Sequence, residues 1–191
     1  KMKKYLVIGN PIDHSLSPKL HNYWIKIHNI DAYYEKKLLN EVDLAKFIED
    51  IKSNIIDGAN ITVPFKKKII NFIDDLTPVA KKTNSVNTIF IKNEKIIGDN
   101  TDVDGFELAL KHINFSPKEK RILVLGAGGV SPSIILSLEN MGAKDISLSN
   151  RTKEKATSLK MLFPNLNIIN WGEVIDFDII INATSLGLKR N

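Results

Sequence analysis

The chain has 191 residues, 43% of them hydrophobic, with 27 Lys and Arg against 22 Asp and Glu for a formal net charge of +5. That apolar share excludes a disordered chain, no run reaches the roughly 18–20 apolar residues of a membrane span, and zero cysteines exclude disulfides, thiolate catalysis and Cys-ligated zinc. The basic clusters, Lys36–Lys37, Lys66 to Lys68 and Lys81–Lys82, are short and lie among carboxylates, without the aromatic-interleaved stripe of a single-strand binder, so nucleic-acid binding ranks last. Lys1 to Lys4 leads into a strand-like run instead of a signal-peptide apolar stretch, and the expectation is a soluble, cytoplasmic protein; Lys1, ahead of Met2, reads as an appended residue. In chain order, Tyr5 to Gly9, Ala32 to Leu39 and Gly58 to Val63 read as short strands separated by helical patterns near Pro18 to Asn29 and Val42 to Lys52, an alternation that implies a parallel α/β layer. Val86 to Ile91, then Lys92 to Lys95 and Ile96–Ile97, read as a hairpin, and Asp102 to His112 as a helix whose apolar face is Phe106, Leu108 and Leu110. Residues 113–120 have the composition of a linker.

A second alternation begins at Arg121: strand Ile122 to Leu125, a glycine turn, helix Val130 to Met141, strand Asp145 to Ser149 and helix Lys153 to Phe163, with further strands at Asn167 to Asn170 and Asp178 to Ile181. The expected organisation is a substrate-binding domain at 1–102, a connecting helix and linker at 103–120, and a Rossmann-like nucleotide-binding domain at 121–191.

Gly126, Ala127, Gly128 and Gly129 stand directly after a buried-looking strand and directly before a helix, the setting of a dinucleotide fingerprint, although Ser131 occupies the third glycine position. There the backbone can approach a pyrophosphate and the helix dipole favours it. At the end of the next strand Asn150, Arg151 and Thr152 stand where an NAD-binding fold presents a carboxylate, and Lys153 and Lys155 add positive charge. An arginine there attracts a 2′-phosphate, so NADP is favoured over NAD; the same residues also suit a plain helix cap at Thr152.

In the first half, Ser15 and Ser17 stand at the start of a helix, with Ser17 read as N-cap and Pro18 as the first helical residue, a seat for a carboxylate or a simple cap. His14 and His21 read as local structural groups and not as metal ligands; no metal is expected. Asn60 and Thr62 share a strand face before Pro64, and Gly98 to Asp102 enters a helix; both clusters suit a ligand at strand ends, or turn chemistry.

The segments GNPIDHSLSPKLHN (9–22), GANITVPFK (58–66), NSVNT (84–88), GDNTD (98–102), LGAGG (125–129), NRT (150–152) and INATSLG (181–187) together resemble the shikimate dehydrogenase family over essentially the whole chain. The resemblance implies NADPH-dependent reduction of 3-dehydroshikimate to shikimate, a step of aromatic amino-acid and chorismate biosynthesis, by a monomer or homodimer. It implies that Ser15 and Ser17 hold the substrate carboxylate, that Asn60, Thr62, Lys66, Asn87 and Asp102 face the ring and hydroxyls, and that Lys66 is the acid with Asp102 as its partner. The cofactor set implied is Gly126, Ala127, Gly128, Gly129, Val130, Asn150, Arg151, Thr152, Lys155 and Thr184. Three departures stand out: Asn84–Ser85 where the family usually has Gly-Ala, Ser131–Pro132–Ser133 in place of a common arginine, and a nucleotide-binding domain expected to be truncated, lacking the family's further C-terminal strands, helices and a glutamine that contacts substrate. The alternatives are a quinate/shikimate dehydrogenase using NAD and a catalytically silent ligand-binding module.

Overall fold

The computed structural model describes residues 1–187, and the chain divides into two compact units, Lys1–Asn100 and Thr101–Asn191. In the first, β1 (Lys3–Gly9), α1 (Ser17–Ile27), β2 (Ala32–Leu38), α2 (Leu44–Lys52) and β3 (Gly58–Ile61) form the parallel layer anticipated from the alternation. They are followed by β4 (Asp75–Leu76), α3 (Pro78–Thr83), β5 (Thr88–Lys92) and β6 (Lys95–Asp99). The strand order is β2-β1-β3-β5-β6-β4, and the β3–β5 and β5–β6 pairings are antiparallel. The hairpin turns on Asn93 and Glu94, with φ of 50° and 62°, the two consecutive left-handed residues that a tight turn matching strand twist requires. Elements as short as β4 and α3 carry too few residues to display a period, which is why the sequence pattern passes over them.

The period-two alternation sorts this sheet into two unlike faces. Leu6, Ile8, Ala59 and Ile61 enter the main core with Leu44, Phe47, Ile48 and Ile51 of α2. Val7 and Tyr34 lie on the other face, packed with Ile12 and with the half-buried Tyr5 and Ile25. No residue of α1 is fully buried. Coverage is therefore thin on the α1 side, and polar side chains are tolerated there.

The second unit holds α4 (Asp102–His112), β7 (Arg121–Leu125), α5 (Ser131–Asn140), β8 (Asp145–Ser149), α6 (Lys153–Leu162), β9 (Asn167–Ile169) and β10 (Ile179–Asn182). Its sheet is wholly parallel in the order β10-β7-β8-β9. Ile122, Leu123 and Val124 are buried without alternation, as expected of a strand covered on both faces. From Ser131 to Leu138 every residue of α5 is buried, so this helix is the centre of the unit.

One expectation changes here. Within the second unit α4 packs on α5, with Val103 buried and its carbonyl accepting from Ser137 Oγ at 3.0 Å. The covered stripe of α4 runs through the buried Val103 and the half-buried Phe106, Glu107 and Leu110, while Leu108 is 64% exposed. Leu108 lies two residues from Phe106, about 200° around the helix axis, and cannot share its face.

Candidate functional site

Gly9, Asn60 and Thr62 lie on the α1 side of the first sheet, at the carboxyl ends of β1 and β3. Val7 pairs with Asn60, and Thr62 N–H donates to Ile8 O at 2.9 Å, so the register continues past the end of β3. A Cβ at Gly9 would sit 2.5 Å from Thr62 Cγ2 and 3.0 Å from Val63 O; only glycine lets the two chain ends approach this closely. Asn60 is held from both sides: its Oδ1 accepts from the Tyr34 hydroxyl at 2.6 Å, and its Nδ2 donates to Thr88 Oγ1 at 3.1 Å and to Asn87 O at 3.3 Å. Asn87 is brought beside β3 because Ile61 N–H donates to its carbonyl at 2.8 Å.

Ser15 and Ser17 open α1, but with the roles shifted by one residue. Leu16 is the N-cap and Ser17 the first helical residue; no side chain caps in the usual way, and Ser15 Oγ accepts from Ser17 N–H at 3.3 Å. Both hydroxyls remain half-buried at the positive end of the helix. The Ser17 side chain also meets the Tyr34 hydroxyl. Tyr34, which the sequence presents as an ordinary strand aromatic, is thus a polar neighbour of two expected site residues. Burial pushes its phenol well above the ordinary range, partly offset by Ser17. His21 is held by stacking on Tyr34, with ring centres 4.2 Å apart and planes 4° from parallel, and its own burial lowers its pKa.

Val86 N–H donates to Lys66 O at 2.8 Å, tying Lys66 to the segment that carries Asn87. Lys66 is half-buried, Lys67 is exposed, and Lys68 pairs with Glu41, so the lysine triplet is divided among different surroundings. Asp102 belongs to the second unit, where it is the first residue of α4 and follows Thr101 at the N-cap. Its neighbours Asp99 and Asn100 serve the fold: Asp99 Oδ1 accepts from Thr77 Oγ1 at 2.6 Å, and Asn100, 2% exposed, donates to Thr83 Oγ1 and Ser85 O.

In the second unit the chain leaves β9 and returns on the other side of β7 as β10, which makes the carboxyl ends of β7 and β10 a topological switch point. Gly126 has φ +103°, and a Cβ there would lie 2.8 Å from Ala183 O; Gly128 is exposed, with Ala183 O at 3.9 Å as the only near neighbour of such a Cβ. Ser131 is fully buried and stitches the turn, donating to Gly126 O at 2.8 Å and accepting from Gly128 N–H at 3.0 Å. Asn150 Oδ1 accepts from Ala127 N–H at 3.0 Å, and its Nδ2 donates to Thr152 O at 2.7 Å. Arg151, Thr152 and Lys155 are exposed beside it, and Thr152 stands at the N-cap of α6 without a side-chain cap bond. Thr184 is tied into a turn through Asn182 Oδ1, at 2.6 Å from its hydroxyl. A tight glycine turn, an open Gly128 backbone, a buried helix start and an exposed arginine at the next strand end are the parts a phosphorylated dinucleotide requires, so these residues fit NADP.

Residues 7–89 match the family model of the shikimate dehydrogenase substrate binding domain, and residues 107–187 match that of shikimate / quinate 5-dehydrogenase. The shikimate dehydrogenase (NADP(+)) of Pelagibacter ubique is 57% identical over 188 residues, which are 98% of this chain and 71% of that protein. The chain belongs to the shikimate dehydrogenase family. Among solved structures, shikimate dehydrogenase from Aquifex aeolicus superposes with a TM-score of 0.91 at 44% identity, covering 98% of this chain and 71% of that one. The Thermus thermophilus shikimate dehydrogenase in complex with NADP(H) and shikimate gives 0.88 at 29% identity, covering 98% and 70%.

Within a shikimate dehydrogenase framework the local departures have physical reasons. Asn84 ends α3 in the left-handed region at φ 48°, a conformation that glycine takes freely and that asparagine tolerates best among other residues. Ser85 is 3% exposed, and its carbonyl accepts from Asn100 Nδ2 at 3.0 Å, so its place is in the packed interior. Pro132 and Ser133 are buried in the first turn of α5, where an arginine side chain would have no solvent to reach.

Proposed function

We propose that this shikimate dehydrogenase family member reduces 3-dehydroshikimate to shikimate with NADPH, as a cytoplasmic monomer or homodimer. The observation that carries the reading is the glycine turn at the β7/β10 switch point, followed one strand later by Arg151 with no carboxylate among residues 150–153. That pairing favours a 2′-phosphorylated dinucleotide over NAD. When bound, the dinucleotide supplies the hydride that reaches the C3 carbonyl carbon.

In this mechanism the chain's own residues bind, orient and protonate. Ser15 and Ser17 donate to the substrate carboxylate, and the α1 dipole adds to their effect. Thr62, Asn60 and Asn87 meet the ring and its hydroxyls. Lys66 Nζ gives its proton to the carbonyl oxygen as negative charge develops there, and Asp102 is the acid's expected partner. Arg151 and Thr152 take the 2′-phosphate. Asn150 has both ends of its side chain committed to the backbone, so its part is to hold the Arg151 turn against the glycine turn. The α5 start and the turn from Gly126 to Val130 seat the pyrophosphate, with Lys155 and Thr184 at the margins.

The test is loss of NADPH absorbance on adding 3-dehydroshikimate, repeated with NADH and with quinate. Turnover with NADPH and 3-dehydroshikimate is the expected result. Equal turnover with NADH and quinate would replace this reading by a quinate/shikimate dehydrogenase, and binding without turnover by a ligand-binding module.

A further inference from the structure

We infer that Tyr34 is a positioning residue of the substrate face, fixing the Asn60 carboxamide so that it offers a ligand only an acceptor, which selects a ligand hydroxyl at that point. This rests on the reading that the face binds a hydroxylated acid. The argument is one of donor direction. A carboxamide has two N–H donors and an oxygen with two lone pairs. Both donors of Asn60 are committed, to Thr88 Oγ1 and to Asn87 O, and one lone pair is committed to the Tyr34 hydroxyl. Thr88 gives its own proton to Asn87 Oδ1 at 3.0 Å, so it can only accept from Asn60. The bonds therefore run one way, from Tyr34 to Asn60 to Thr88 to Asn87. Reversing the Asn60 amide would set its oxygen against the Asn87 carbonyl. What remains for a ligand is the second lone pair of Asn60 Oδ1, which takes a hydroxyl proton and repels a carbonyl or carboxylate oxygen.

Tyr34 is built to stay a donor. It is 5% exposed, its ring lies against His21, and its backbone is clamped by Asn22, which accepts from Tyr34 N–H at 2.9 Å and donates to Tyr34 O at 2.8 Å. Burial disfavours the phenolate, so the proton is kept through neutral and moderately alkaline pH. The strand pattern gives no hint of this, because a β2 tyrosine reads as core; the hydroxyl's partners appear only when β2 and β3 flank β1.

The experiment is calorimetric binding of shikimate to wild type, Y34F, N60A and the double variant. Y34F removes the hydroxyl and keeps the ring, so its expected effect is a loss of about three- to tenfold in shikimate affinity, the range for one neutral hydrogen bond, with NADPH affinity unchanged. In the N60A background Y34F is expected to cost less than about 1.5-fold, because Tyr34 acts through Asn60. Unchanged shikimate binding by Y34F, or the same loss in both backgrounds, would overturn the inference and leave Tyr34 a packing residue. If Y34F does not fold, T88V breaks the next bond in the chain and carries the same two expectations. If wild type itself does not bind shikimate, the proposed function fails first and this inference falls with it.

Discussion

Gly126 and Gly128 stand two residues apart in one turn, yet the structure assigns them different work, and exchanging each for alanine separates folding from cofactor binding. At Gly126 the backbone is at φ +103°, and the new Cβ would meet Ala183 O at 2.8 Å, Ala183 C at 2.9 Å and Thr184 Cγ2 at 2.9 Å. Two of those three atoms are backbone following β10, so relief requires β10 to move away from β7. The conformation costs about 1–3 kcal/mol for a residue with a Cβ. Forced overpacking adds about 1–3 kcal/mol more. The expected outcome for G126A is a loss of about 2–6 kcal/mol and a fall of about 8 °C or more in the melting midpoint of the second unit. At Gly128 a Cβ would find only Ala183 O, at 3.9 Å, and the residue is exposed. G128A is therefore expected to melt within about 0.5 kcal/mol of wild type. Its methyl group would stand over the open backbone proposed for the pyrophosphate, so NADPH affinity should drop about tenfold or more, or about 1.4 kcal/mol. Thermal unfolding and NADPH fluorescence titration on both variants read the two effects apart. A G126A protein as stable as wild type, or a G128A protein with normal NADPH affinity, would refute the reasoning.

Three further outcomes are expected. Lys66→Ala should lower kcat by about 10²- to 10⁴-fold with little change in NADPH affinity, the range for a lost general acid, and turnover within about threefold of wild type would remove Lys66 from that role. Arg151→Ala should weaken NADPH by about 1.5–3 kcal/mol and leave NADH nearly unchanged, measured as paired dissociation constants; equal losses would exclude a 2′-phosphate contact. Asp178 accepts from Arg121 Nη2 at 3.0 Å and from Arg121 N–H at 2.8 Å, and these bonds hold its carboxyl down at about 2 against an ordinary 3.8. A depressed carboxyl stabilises the fold above its unfolded pKa and loses that contribution as pH falls through its folded value. Melting temperature should therefore drop between about pH 4 and pH 2, and Asp178→Asn should make that drop shallower; an identical pH profile would show that the pair does not act.

Much of the architecture was legible because the chain's patterns are local. The helix at Asp102 to His112 and the strand at Asp145 to Ser149 have the limits anticipated from periodicity, and the strand–glycine–helix order of the second unit follows from LGAGG between two apolar runs. Local pattern misleads where an apolar residue lies off the helical period or where a role depends on a single dihedral angle. Leu108 is apolar but off the helical period of its neighbours, and Ser17 looked like a cap although the chain is already helical there. Segments of two to six residues, such as β4 and α3, cannot express a period at all.

Residue order along the chain marked out the residue types that could do the chemistry: hydroxyls before a helix, a lysine after Pro64, glycines before a second helix and an arginine after the next strand. It did so because each of those signals depends on spacing along one stretch of chain. The division of labour inside each motif came from the folding of distant segments against one another. Asn100 and Asn150 turned inward to serve the backbone, Gly126 was set against Ala183 just after β10, more than fifty residues away, and Tyr34 became polar support for Asn60. Those assignments depend on which strands lie side by side, and a hydrogen bond across a sheet has no signature in the spacing of either partner.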